Sequence, residues 1–115
     1  MRPEQNLKLS GSDIEAILAA LPIVENTPAA TPAQQMLNHL SCQGARRKLQ
    51  ERRKDFTPNE LRVIAVSVCY ASEFLSGRMQ ELGTLLSDTS VIRKYALSYV
   101  RLNSYFLPQI EALDK

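Results

Sequence analysis

Little in this sequence of 115 residues offers a ready chemical reagent. There is one histidine, His39, which excludes a two-histidine zinc motif, and the two cysteines, Cys42 and Cys69, form no Cys-x-x-Cys pair. The four glycines, Gly11, Gly44, Gly77 and Gly83, are scattered, so no glycine-rich loop stands ready to cradle a phosphate. The longest nearly apolar run, Val63 to Cys69, is interrupted by Ser67 and falls far short of the roughly 20 residues that span a bilayer. The pattern of a secretory leader is missing too. Together with so few cysteines this points to a reducing, cytoplasmic setting away from the membrane. The net charge is only +2, too small to mark a polyanion receptor by its global field.

What is present is the balance of one globular domain, with 44% apolar and 23% charged residues. No stretch alternates apolar and polar residues as a strand does, while helical spacing recurs along the chain. Residues 1–11 lack periodicity and read as a flexible arm ahead of a single helical domain over 12–115. Ser12 and Glu15 have capping-box spacing, and Ile14, Ile17, Leu18 and Leu21 form an apolar face that Pro22 should end. Residues 22–31, with Pro22 and Pro28, predict a linker outside any regular helix.

Thr31-Pro32 has the form of an N-cap with proline at the first helical position, predicting a second helix from Pro32 to about Arg53 with Ala33, Leu37, Leu40 and Gly44 inward. Thr57-Pro58-Asn59-Glu60 adds a capping-box glutamate to the same signal and predicts a third helix from Pro58 to about Leu82 or Leu86. That helix is apolar over most of its circumference, so it should be central. A fourth helix places Ile92, Tyr95, Ala96, Tyr99, Leu102 and Phe106 on one face and ends or kinks at Pro108. The expected fold is all-α, four main helices in a bundle or an orthogonal variant of one.

The charge is uneven: residues 1–44, 45–55 and 56–115 carry −2, +4 and 0. Within the second helix His39, Gln43, Arg46, Gln50 and Arg53 recur at spacings of four and three, with Arg47 beside them, a face of side chains that hydrogen-bond phosphates and bases. Lys94 and Arg101 lie opposite the core face of the fourth helix and would extend that surface if the two helices were adjacent. Val63, Val66, Tyr70 and Phe74 form a second apolar strip on the third helix, and Leu97 falls off the core stripe of the fourth. These five are the expected oligomer interface.

Cys42 could approach His39, with Arg46 to lower its pKa, and Cys69 would bring the nitrogen and sulfur ligands to three at most; without a Cys-x-x-Cys pair or a carboxylate pair at acid–base spacing, buried or half-buried thiols are the expectation. The sequence therefore predicts no enzyme and no cofactor. The leading expectation is a helical interaction or regulatory module that associates with itself or with another protein. The alternative is a nucleic-acid-binding protein that uses the basic second helix.

Overall fold

The computed structural model describes residues 9–86 and 89–113, with side chains at 82, 83, 85 and 107–113 excepted. The fold is all-α and bundle-like, with four main helices: α1 Gly11–Asn26, α2 Pro32–Gln50, α3 Pro58–Leu75 and, after a short α4 at Ser90–Lys94, α5 Ala96–Leu113. A 3-10 helix, Gln80–Leu85, follows α3. No helix among the described residues is long and apolar enough to cross a membrane. Most of the predicted arm, residues 1–8, and Ser87-Asp88 of the predicted turn lie outside the described residues.

The cap of the first helix is Ser10, two residues before the predicted Ser12. Ser10 Oγ accepts from Asp13 N at 3.1 Å and Ser10 N donates to Asp13 Oδ2 at 2.9 Å, completing a capping box. The tertiary fold selects this register because Asp13, 1% exposed, has its other carboxylate oxygen bonded by Arg101 of α5. A glutamate at position 15 meets no such partner among the described residues and stays exposed.

Pro22 does not end α1, and the predicted 22–31 linker shortens to residues 27–31. Proline removes the bond to the Leu18 carbonyl, a penalty of about 3 kcal/mol in a helix interior. Continuing the helix buries Ile23 and Val24, and about 1.5–3 kcal/mol for each covered side chain offsets that penalty. The first helix thereby becomes a second central element. Ala16, Ile17, Ala20, Leu21 and Ile23 are fully buried, and α1 packs against α2, α3, α4, α5 and the 3-10 helix.

The third helix opens as predicted. Thr57 Oγ1 accepts from Glu60 N, and Glu60 Oε1 accepts from Thr57 N at 2.9 Å. It stops well before Leu82, because Gly77 takes φ +86° and closes a Schellman turn in which Gly77 N donates to Phe74 O and Arg78 N to Glu73 O. Leu61, Val68, Leu75 and Leu82 recur every seven residues and carry the apolar pattern past this point in sequence, but the left-handed residue redirects the chain. As predicted, Ile92, Tyr99, Leu102 and Phe106 are buried, although the helix carrying them is interrupted at Tyr95. Tyr99 ties α5 to α1 by donating its hydroxyl to Ala16 O at 2.6 Å, and burial pushes its pKa up. Position 108 is helical, so Pro108 does not terminate α5.

The inward face of α2 is the largest correction. Ala33, Leu37 and Leu40 are exposed, and the helix turns Ser41, Cys42, Ala45, Lys48 and Leu49 toward α1 and α3. Polar side chains on this face are held by distant partners. Lys48 Nζ donates to Glu60 Oε1 at 2.6 Å and to Asp55 O at 2.9 Å. Gln35 accepts from Ala29 N at 2.7 Å, and its amide reaches Glu25 O. Gly44 permits the close approach to α3, since a Cβ there would collide with the Glu60 carboxylate.

Candidate interaction surfaces

Two outward faces carry large apolar side chains. On α2, Met36 is 65% and Leu40 58% exposed, and their spacing of four places them on one flank, with the more sheltered Leu37 at its edge. On α5, Leu97 is 87% and Val100 59% exposed, one turn apart, with Val91 of α4 also partly open. Burial explains why these faces differ from the predicted oligomer strip. Val63 and Phe74 belong to the core and cannot form a surface, because α1 and α5 cover the side of α3 on which a second copy was expected. Val66 and Tyr70 are half-buried and packed on the core, and only Leu97 of the five stands free.

The basic segment is partly neutralised within the chain. Both terminal guanidinium nitrogens of Arg46 bond the Glu25 carboxylate of α1, Lys48 is sealed against Glu60, and Arg53 pairs with Asp55 and Glu51. Arg47, Arg52 and Lys54 make no ion pair among the described residues. His39, Gln43 and Gln50 are exposed with Arg47 on the outer side of α2, as their spacing predicts. Arg53 leaves that stripe because α2 ends at Gln50. Arg52 then adopts φ +56°, with Arg53 N donating to Lys48 O at 2.8 Å and Arg52 N to Leu49 O at 3.1 Å, a Schellman turn on a residue other than glycine. Arg52 and Lys54, with Arg53, edge a shallow cavity of about 210 Å³ floored by Leu9, Ile14 and Leu49.

The second basic strip does not join the first. Arg101 turns to the buried Asp13, and Lys94 lies over the Tyr95 ring at 5.4 Å. Helices α2 and α5 both pack on the α1–α3 pair without substantial contact with each other, so their outer faces form two separate surfaces.

The thiols are poorly placed for nucleophilic work. Cys42 is buried, whereas His39 three residues earlier is exposed, so the two occupy different faces. Burial, aided by the Glu25 charge, pushes the Cys42 thiol up to about 11 against the opposing pull of Arg46 and Arg62. Burial also raises Cys69. Among the described residues no three His, Cys, Asp or Glu side chains gather closely enough to hold a metal ion. The polar clusters on which the fold depends, Lys48–Glu60 and Asp13–Arg101, escaped sequence reasoning; the usable signal was a lysine on the predicted polar side of α2 and an acid at a helix start that a distant base could reach. Comparison with protein-family models, curated proteins and solved structures finds no match for this chain, so its surfaces are read from their own chemistry.

Proposed function

We propose that this protein is a non-enzymatic helical interaction module that associates with itself through the outer face of α5. The observation that carries this reading is the exposure of Leu97 and Val100 on a helix whose opposite side is anchored in the core. Flanking Lys94 and Arg101 give the face a polar rim, as protein interfaces have. A helix face that meets its own copy about a two-fold axis closes a dimer without leaving an open edge. The separate Met36–Leu40 flank of α2 is then free for another protein. Two unpaired cysteines suit a reducing, cytoplasmic setting.

Light scattering on the full chain at micromolar concentration tests the reading. The expected mass is that of a dimer, reduced to a monomer by Leu97→Glu and left unchanged by Leu40→Glu. A strict monomer in the unsubstituted protein overturns self-association.

Nucleic-acid binding is the second reading, favoured by Arg47, Arg52 and Lys54, which have no ion-pair partner among the described residues. Binding through them would weaken steeply with salt as counterions are released. Charge reversal at Arg47 and Arg52 should weaken it far more than reversal at Arg78, which pairs with Glu73 away from this surface. Failure to bind DNA or RNA at low salt ends this second reading.

A further inference from the structure

A cleft of about 300 Å³ is lined by the end of α1, the 27–31 connector, α2 and α3. One wall is apolar, from Val24, Pro28, Val66 and the Tyr70 ring, and the other carries Gln34, Asn38 and Arg62. Arg62 is half-buried and makes no ion pair among the described residues; its guanidinium donates to Asn38 Oδ1 at 2.8 Å. Asn38 Oδ1 also accepts from Gln34 Nε2 at 2.9 Å. Glu25, the acid at the end of α1 on this side of the molecule, is already held by Arg46. The Tyr70 hydroxyl has no hydrogen-bond partner among the described residues.

The walls are pinned in advance. Gln35 binds Ala29 N and Glu25 O, which fixes the connector to α2, and Thr27 Oγ1 donates to Ile23 O, which fixes its start to α1. A preformed concavity with apolar walls and a few convergent polar groups is the usual form of a small-molecule site. Within it a cationic fork, held by a neutral amide oxygen, pairs with no carboxylate among the described residues. A guanidinium prefers a planar anion, which it binds through two parallel charge-assisted bonds.

We infer that this cleft binds a small monocarboxylate with an apolar body, its carboxylate on the Arg62 guanidinium and its body against Val24, Val66 and the Tyr70 ring. The Asn38–Gln34 pair presets the guanidinium, and the Tyr70 hydroxyl is available as a further donor. The volume, at the lower end for ligand pockets, suits a single ring rather than a cofactor.

The test is a titration of the full chain, uniformly labelled with nitrogen-15, with benzoate and, separately, with benzamide, the uncharged isostere. Benzoate should produce saturable shifts confined to the end of α1, the connector, the first half of α2 and residues 62–70 of α3, with a dissociation constant on the order of 1 mM for so small a ligand. Benzamide should bind about tenfold or more weakly, since the charged hydrogen bonds are lost. Arg62→Gln should weaken benzoate by a similar factor and leave benzamide unaffected. Equal binding of benzoate and benzamide to the unsubstituted protein, or no saturable shift up to tens of millimolar, overturns the inference without recourse to any variant. A folded Arg62→Gln chain that keeps benzoate affinity within about twofold overturns it as well.

Discussion

Helices α2 and α3 begin alike and are held by different physics. Each opens on a Thr-Pro pair whose threonine caps the first turn, and each closes on a left-handed residue in a Schellman turn, Arg52 in one and Gly77 in the other. Between those ends α3 buries Val63, Ile64, Ala65, Val68, Ala71 and Phe74, a conventional apolar face. The inward face of α2 offers two small side chains, a thiol, one leucine and a lysine, while Leu37 and Leu40 point away. Caps therefore locate a helix, but its buried face is decided by what the neighbours supply. Opposite Lys48 stands Glu60, itself anchored by the Thr57 cap, so the face of α2 turned inward is the one whose polar side chain finds a buried partner.

The contrast is broken most severely by truncating each helix at its apolar residues. Ile64→Ala on α3 should lose about 4 kcal/mol of unfolding free energy, transfer plus cavity, whereas Leu40→Ala on α2 should change it by no more than about 0.5 kcal/mol. Urea denaturation measures both, and equal losses would mean that α2 buries the face its sequence suggests. Next in size is the polar link. Lys48→Met leaves Glu60 buried without its cation and should cost about 3 kcal/mol. Adding Glu60→Gln, which keeps the cap while removing the charge, should recover part of that loss. A double variant no better than the single one would show that the charge on Glu60 is not the source of the damage.

Gly44→Ala tests the same contact from the backbone side. Alanine is the better helix former by about 1 kcal/mol, so the intrinsic effect is stabilising. Here the new methyl would displace the Glu60 carboxylate from Lys48 and from the cap, and we expect a net loss of about 2 kcal/mol. A gain in melting temperature would mean that Glu60 yields freely.

The pH dependence follows from Glu60. Burial opposes its ionisation, but the Lys48 ammonium and the Thr57 N–H more than compensate and hold its carboxyl below the ordinary 4.5. A depressed folded pKa means that the unfolded chain binds more protons in the acid range. The associated stability is therefore present above about 4.5 and lost as pH falls through the folded value. Denaturation midpoints between pH 6 and pH 3 should fall less in Glu60→Gln than in the unsubstituted protein, once the neutral-pH difference is removed. Parallel curves would assign the acid lability to other carboxylates. The smallest effect concerns the helix ends: Arg52→Gly relieves a left-handed arginine and should stabilise by about 0.5–1 kcal/mol, making the end of α2 resemble that of α3.

Much of this molecule was legible in advance where the controlling forces act within one turn of chain. Thr31-Pro32 and Thr57-Pro58 mark two helix starts correctly, because a cap hydroxyl reaches only the backbone three residues on. The apolar stripe of Ile92, Tyr99, Leu102 and Phe106 identifies the core side of the last helices, since those large side chains have no alternative burial. Candidate surface residues were less legible. His39, Gln43, Arg47 and Gln50 do face outward, but Arg46 and Arg101 are claimed by Glu25 and Asp13, and Arg101's acid lies far away in sequence.

By itself, then, the sequence determined an all-helical chain, the starts of α2 and α3 and the core side of α5, each set by contacts between near neighbours. Only the tertiary structure decided which capping box α1 uses, that Pro22 lies inside a helix, which face of α2 turns inward and which cations remain uncompensated. Each of those outcomes weighs a local preference of one to a few kcal/mol against burial or an ion pair whose partner comes from another helix. Periodicity along a single helix carries no record of that partner. The Asp13–Arg101, Lys48–Glu60 and Arg46–Glu25 pairs exist because the packed helices bring partners distant in sequence within reach.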